Sequence, residues 1–420
     1  MTSLSRRARW VSLALAVVTA LPIPLGLATG LHLWLSPSLF IQRVLARAPL
    51  VPLALLGLAV LLLVFWSERW FCRHVCPTGA LCDVVAARGR KSRPWDRVPW
   101  VNKGLAIFGL AAAAAGAPVL AFADPMALFY GGWKILHLGL TVAAVASLLG
   151  LAAVLVSNAF YPHLWCARLC PLGGLQLLAW DLRGALRRGP GAPGVQPAFG
   201  RRLVLVAGAG LGLGLLGRRA AAARPSEAVR PPGALPPGHF ETTCCRCGNC
   251  ARACPTRIIR SSTDLHEPLG LLAPRLDFTS AYCVPSCDAC GGVCPTGALV
   301  PFEAGQKNQI FIGTAEVRLD DCLVVKGREC DRCVASCDYD ALVIGGDTFE
   351  PEPEVDAARC VGCGACAAVC PPGVISIRPP LGRGCRPRRG AAPAEPAAEA
   401  FAPSSPLISP PIMKVEFGFR

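Results

Sequence analysis

Cys360-Val361-Gly362-Cys363-Gly364-Ala365-Cys366-Ala367-Ala368-Val369-Cys370-Pro371 spaces four cysteines as C-x2-C-x2-C-x3-C and closes on proline. The same spacing and proline recur at Cys244, Cys247, Cys250, Cys254 and Pro255. Three thiolates on one tight loop can wrap three irons of a four-iron cube, while the fourth cysteine starts a short helix and points at a neighbouring cluster. The proline fits the first turn of that helix. Gly248 and Gly364, each beside a cysteine, let the backbone pass close to the cluster and aim N–H groups at its sulfurs. Zinc sites usually pair two knuckles over a longer gap and need no such proline. Disulfides give no reason for the repeated spacing. Both runs read as [4Fe-4S] loops.

Two further sets vary the pattern. Cys283, Cys287, Cys290 and Cys294 open with three residues in place of two and end on Pro295. Cys322, Cys330, Cys333 and Cys337 open with seven, Leu323 to Glu329, and end on Asp338. Sixteen of the 23 cysteines thus fall into four sets of the ferredoxin kind. Cys245 and Cys385 lie off the spacing and read as bystanders.

Outward from the clusters, the chain divides. Long apolar runs lie almost entirely before residue 220, at Trp10–Leu35, Leu50–Trp66, Leu105–Ala123, Ile135–Val156 and Leu203–Gly217. The first four approach or exceed the roughly 17–25 residues that cross a bilayer core. The fifth is shorter and glycine-rich, and its glycines suit helix packing in lipid better than a nucleotide loop. The net charge of +15 belongs to the first half, where 22 basic residues face 5 acidic ones through Ala222. They flank the apolar runs, a sign of membrane topology and not of nucleic acid. Arg6, Arg7 and Arg9, the loop from Arg69 to Arg97, and the segment from Arg168 to Arg202 share one side if four spans cross. That side is cytoplasmic. The intervening loops hold only Arg43, Arg47 and Lys134. Residues 200–222 read as a fifth span or as a twin-arginine-like export signal and anchor. Either sends the following domain to the outer side, against which Arg218 and Arg219 count; a cytoplasmic domain is the alternative.

Two shorter motifs follow the second and fourth spans: Trp70-Phe71-Cys72-x3-Cys76-Pro77 and Trp165-Cys166-x3-Cys170-Pro171. Four thiols at one membrane face can bind a further cluster, act as redox-active thiols, or sit buried in structural loops; Cys82, without a counterpart, reads as structural. His32 and His137, near the outer ends of spans, are candidates for quinone contact or haem ligation. A lone histidine near the interface also commonly meets water. The expected architecture is a polytopic α-helical membrane domain (1–199), the fifth segment (200–222), a Pro-rich linker (223–239), an α+β ferredoxin-type domain with four 4Fe-4S motifs (240–380) and a disordered tail (381–420).

The four spans and two C-x3-C-P motifs resemble the NapH/MauN group of membrane ferredoxin-type proteins. The export-like segment and four cluster motifs resemble the NapG/MauM group, so the chain looks like a fusion of the two. It departs from the first group in having no ferredoxin motif between Trp180 and Arg202. The resemblance implies cross-pairing of outer with outer and inner with inner sets: Cys244, Cys247, Cys250 with Cys370; Cys360, Cys363, Cys366 with Cys254; Cys283, Cys287, Cys290 with Cys337; Cys322, Cys330, Cys333 with Cys294. Sequential pairing stays open beside it. The resemblance also implies a bacterial inner-membrane protein passing electrons from membrane quinol to a periplasmic reductase, dehydrogenase or c-type cytochrome. An assembly factor that reduces a metal or a partner enzyme is the other reading, and clusters serving as folding staples a third.

Overall fold

The computed structural model describes residues 3–21, 30–45, 48–86, 101–118, 120–188, 200–223, 228–347 and 350–380. The basic stretch from Arg88 to Arg97, the tail from 381 and Cys385 lie outside the described residues.

The first half is built twice. The first repeat comprises α1 (Ser3–Ala20), the short α2 (Leu31–Trp34) and α3 (Pro37–Leu45), then α4 (Ala54–Trp66), α5 (Trp70–His74) and α6 (Pro77–Ala86). The second comprises α7 (Val101–Ala114), α8 (Pro125–Gly132), α9 (Ile135–Leu138), α10 (Val142–Phe160), a π-turn at Trp165–Leu169 and α11 (Pro171–Arg188). In each repeat a C-x3-C turn ends on a proline that opens the next helix, where a missing N–H costs nothing. The folded-back pieces start alike, at Ser36-Pro37 and Asp124-Pro125. Asp124 caps α8 by accepting from the N–H of Met126 and also accepts from the hydroxyl of Ser36, which ties the repeats together.

Three expected spans are interrupted. α1 stops at Ala20 and α2 resumes at Leu31. α7 stops ahead of Gly116, whose φ is 86°, and Pro118 follows. Gly139, with φ 68°, separates α9 from α10. Hydropathy alone passes through these breaks because the residues around them are apolar. Among the described residues two helices, Val142–Phe160 and Arg201–Ala220, are long and apolar enough to cross a membrane.

The fifth segment forms one helix, α12 (Arg201–Ala223), longer than its apolar stretch. It lies along α7 with both helices running the same way, since Gly210 rests on the backbone of Phe108, Gly214 on that of Ala112, and Arg218 reaches Gly116. The glycine stripe does serve helix packing at two of its positions.

The second half contains α13 (His239–Thr243), α14 (Asn249–Ala253), α15 (Ala289–Gly292), α16 (Arg332–Ala335) and α17 (Ala365–Val369). Its six strands are β1 (Ile259–Ser261), β2 (Pro274–Leu276), β3 (Thr314–Val317), β4 (Leu342–Asp347), β5 (Glu350–Val355) and β6 (Ile375–Arg378). They pair antiparallel as β1–β2, β3–β6 and β4–β5. Two modules result. In one, Ala234 bridges to Leu299 around the first and second cysteine sets, with β1–β2 between the sets. In the other, β3–β6 closes around the third and fourth sets, with β4–β5 between them. The expected linker ends early: Val229 accepts from the N–H of Leu276, and Leu235 donates to Ala298. From there the chain is part of the first module.

The first module joins the helical half at both of its cysteine sets, with Arg43 donating to the Cys294 carbonyl of the second. Cys245 and Cys247 share an apolar core with Leu13, Phe129 and Tyr130.

A Cβ at residue 210 would stand 2.4 Å from the Phe108 carbonyl, whereas residue 212 faces open space. Gly210→Leu should therefore destabilise the protein by about 1–3 kcal/mol through overpacking, and Gly212→Ala should not. Thermal unfolding in detergent compares the two.

Candidate iron–sulfur sites

Buried thiols gather in groups that follow the modules. One cavity is lined by Cys244, Cys247, Cys250 and Cys294. A second is lined by Cys254, Cys283, Cys287 and Cys290. In the other module Cys366 neighbours Cys363, Cys360 and Cys337. Cys333 neighbours Cys330 and Cys322, and Cys370 packs into the same apolar cluster as these three. Three loops thus keep their own three cysteines and take a fourth from the other set of their module, which leaves Cys370 to the Cys322 loop in the cluster that also holds Cys360, Cys366 and Cys337.

This corrects the cross-pairing. Cys370 does not join the Cys244 loop, nor Cys254 the Cys360 loop, and Cys337 and Cys294 do not exchange across the middle sets. The helices decide it: α14 packs on α15 and α16 on α17, and the fourth cysteine closes its short helix, as Cys254 does α14 and Cys370 α17, where the spacing had it opening one, with Pro255 and Pro371 in turns. The Asn249 side chain, donating to the Val293 carbonyl at 2.8 Å, fixes the first pair. Between modules, the N–H of Cys283 donates to the Cys363 carbonyl at 2.9 Å, so the second and fourth loops adjoin.

Backbone N–H groups already face the sulfurs. Ala315 donates to Cys360, Leu299 to Cys294 and Ala341 to Cys337, at 3.3–3.4 Å. Burial holds the thiols protonated, pushing Cys244 and Cys363 up to about 11 and Cys366 to about 12. Cys247 goes the other way, down to about 6, because the Cys245 thiol donates to it while burial opposes. Among the described residues no three His, Cys, Asp or Glu side chains converge on a single-ion site. Thiolates around a four-iron cube stand farther apart than those of a tetrahedral zinc.

The two C-x3-C-P motifs also converge. Cys76 lies within electrostatic reach of Cys72, Cys166 and Cys170. The two turns are alike: Gly79 N–H donates to Cys76 Sγ at 3.2 Å and Gly173 N–H to Cys170 Sγ at 3.4 Å. Six residues past each second cysteine, one side chain crosses to the other repeat. Gln176 donates to Cys72 Sγ at 3.0 Å, and Cys82 hydrogen-bonds Cys166. Sequence reading missed both. The one polar side chain in the apolar run Pro171–Trp180, and its match in spacing to Cys82, were the available signals.

A 4Fe-4S dicluster domain model matches residues 326–374. A 4Fe-4S binding domain model matches twice, at residues 48–94 and 143–189, one match in each helical repeat. The methylamine utilization ferredoxin-type protein MauM of Methylophilus methylotrophus is 33% identical over 163 residues, covering 37% of this chain and 72% of its own. The ferredoxin-type protein NapF of Escherichia coli K12 is 32% identical over 158 residues, covering 36% and 85%. NapG of the same strain is 32% identical over 198 residues, covering 42% and 83%. This chain belongs to the MauM–NapF–NapG family of ferredoxin-type proteins. No solved structure matches it.

In this ferredoxin-type protein the two candidate histidines part company. His32 Nε2 meets the Ser12 hydroxyl at 3.3 Å, whereas His137 Nε2 meets the Ala20 carbonyl at 2.9 Å. Eight residues of α1 separate these contacts, about 12 Å along its axis. Only His137 is at the expected end, beside the first module. His32 lies deeper, next to Ser12, which donates to the carbonyl of Val75 in the first C-x3-C turn. They do not face each other across one ligand.

Two expectations follow for the ferredoxin half. Cys294→Ser should alter the EPR signal that Cys250→Ser alters, and Cys370→Ser should leave that signal unchanged; spectra of the three variants decide the pairing. Raised thiol pKa values mean that cluster capture must release protons, so binding strengthens as pH rises. Iron–sulfide reconstitution of the apoprotein should accordingly be more complete at about pH 9 than at about pH 7.

Proposed function

We propose that this chain is a membrane-bound electron carrier in which a NapH/MauN-like helical half feeds a NapG/MauM-like half holding four [4Fe-4S] clusters. The observation that carries this reading is an unbroken succession of thiol groups. Cys72, Cys76, Cys166 and Cys170 come first, as a fifth cluster or a redox-active thiol site. The sites of the Cys244, Cys283, Cys360 and Cys322 loops follow in that order. Cys254 and Cys294 interlock the first two, the Cys283–Cys363 contact joins the modules, and Cys337 and Cys370 interlock the last two. Clusters with complete cysteine ligation keep no open coordination position and so carry electrons.

α8 bridges the helical and ferredoxin sites. The Thr78 hydroxyl, two residues past Cys76, donates to the Pro125 carbonyl at the start of α8. Arg252, between Cys250 and Cys254, donates to the Tyr130 carbonyl near its end at 3.2 Å. Five residues advance about 8 Å along a helix axis, so one short buried helix separates the two groups. Phe129 and Tyr130 fill the gap without exposure.

The membrane placement rests on apolar side chains that face outward along the long helices, among them Leu149 and Val156 of α10 and Leu205 and Leu216 of α12. Such continuous apolar surface is foreign to a water-facing protein. The ferredoxin half sits on loops that carry Arg43 and Lys134, at the ends of the helices away from Arg9, Arg69 and Arg168. By the positive-inside rule that is the outer, periplasmic side. Quinol is the proposed electron source, with His32 or His137 as candidate contacts, and a periplasmic reductase, dehydrogenase or c-type cytochrome the acceptor.

Anaerobically purified protein should contain about sixteen irons per chain, or about twenty if the helical cysteines hold a cluster. Reduced quinol should reduce the clusters, and Cys76→Ser should slow that step about tenfold or more. EPR-monitored titration reads both. Clusters that quinol leaves oxidised would shift the reading to an assembly factor.

A further inference from the structure

The loops that ought to be poor in basic residues carry two that burial makes conspicuous. Arg43, near the end of α3, is 1% exposed and Lys134, just past α8, is 2% exposed. α3 and α8 are the corresponding folded-back helices of the two repeats, so each repeat contributes one cation. Lys134 arrives in the cavity of Cys244, Cys247, Cys250 and Cys294, and Arg43 at the backbone of Cys294 beside it.

Lys134 lines that cavity. Its main electrostatic neighbours are Cys247, Cys244, Cys250 and the guanidinium of Arg252. The lysine stem runs over Gly248, where a Cβ would stand 2.8 Å from Lys134 Cε. That glycine, at φ 77°, is needed for the loop and for the lysine above it. Arg43 approaches from the other side: its Nη1 donates to the Cys294 carbonyl at 2.9 Å and to that of Pro295 at 3.3 Å. Burial pushes the Lys134 ammonium down, and Cys247, Cys244 and Cys250, once thiolate as in a ligated cluster, push it back up and favour the charged form.

A thiolate-ligated cube is anionic and gains negative charge on reduction, so nearby fixed cations favour the reduced form and raise the potential. We propose that Lys134, seconded by Arg43, sets the reduction potential of the cluster nearest the helical half, making the membrane repeats the regulator of where electrons are received. Neither residue is a ligand; both act through charge. The proposal rests on the four-cluster reading, and the test separates the two.

The experiment is an EPR-monitored redox titration of the full chain in detergent, as wild type, Lys134→Gln, Lys134→Arg and Arg43→Gln. Lys134→Gln should move one midpoint to lower potential, that of the signal altered by Cys250→Ser, and leave the others in place. Lys134→Arg should keep the wild-type value, and Arg43→Gln should lower the same midpoint less. Unchanged midpoints in Lys134→Gln with all clusters present overturn the proposal. So does loss of the cluster in the Gln and Arg variants alike, which would make Lys134 a folding residue. Loss in Gln with retention in Arg overturns it as well, since the charge would then be needed to hold the cluster and not to set its potential. A wild type without clusters defeats the four-cluster reading itself.

Discussion

A C-x2-C-x2-C loop can reach only three corners of an iron–sulfur cube. The fourth thiolate has to come from elsewhere, and that need organises the ferredoxin half. Each fourth cysteine ends a helix of one turn or slightly more, too short to reach beyond the loop packed against it. The two loops of a module must therefore stand side by side with their short helices in contact. The flanking segments then meet, as Ala234 with Leu299 and as β3 with β6, and the residues between the loops fold into hairpins. Irregular spacing in the second and third sets is absorbed within this scheme, because it precedes the turn and leaves the last three cysteines in their usual register.

The same economy governs the helical half. Duplication brings two C-x3-C turns together, so that neither repeat completes the thiol group alone. Gln176 and Cys82 each cross to the opposite repeat, and Asp124 accepts from Ser36. An apolar interior makes unpaired polar groups expensive, and these contacts give polar side chains partners inside an otherwise apolar bundle. The first ferredoxin loop extends this bundle instead of resting on it, with Cys245 and Cys247 in the helical core.

Cluster chemistry was legible in the sequence because ligand spacing is local: Cys244 to Cys254 and Cys360 to Cys370 each need eleven residues and no knowledge of the fold. Their partners were not legible. Whether Cys294 faces Cys250 or Cys333 depends on which short helices pack together, a long-range fact that family likeness suggested wrongly. The apolar runs showed where helices lie but concealed the breaks at Gly116 and Gly139, since hydropathy does not register a change of backbone direction among apolar residues. Lys134 and Arg43 were visible as the few basic residues of their loops. Only the contacts of Lys134 with Gly248 and of Arg43 with Cys294 turned that scarcity into a role.

The central claim is a line of clusters whose order follows from fourth ligands exchanged within each module. Its most direct test is a density map of the anaerobically prepared chain that resolves the irons. The account predicts four cubes in the ferredoxin half, with Cys294 on the cube of Cys244 and Cys254 on the cube of Cys283, and the cubes of Cys283 and Cys360 adjoining between modules. A cube joining Cys250 to Cys370, or thiol groups holding single metal ions, would contradict it.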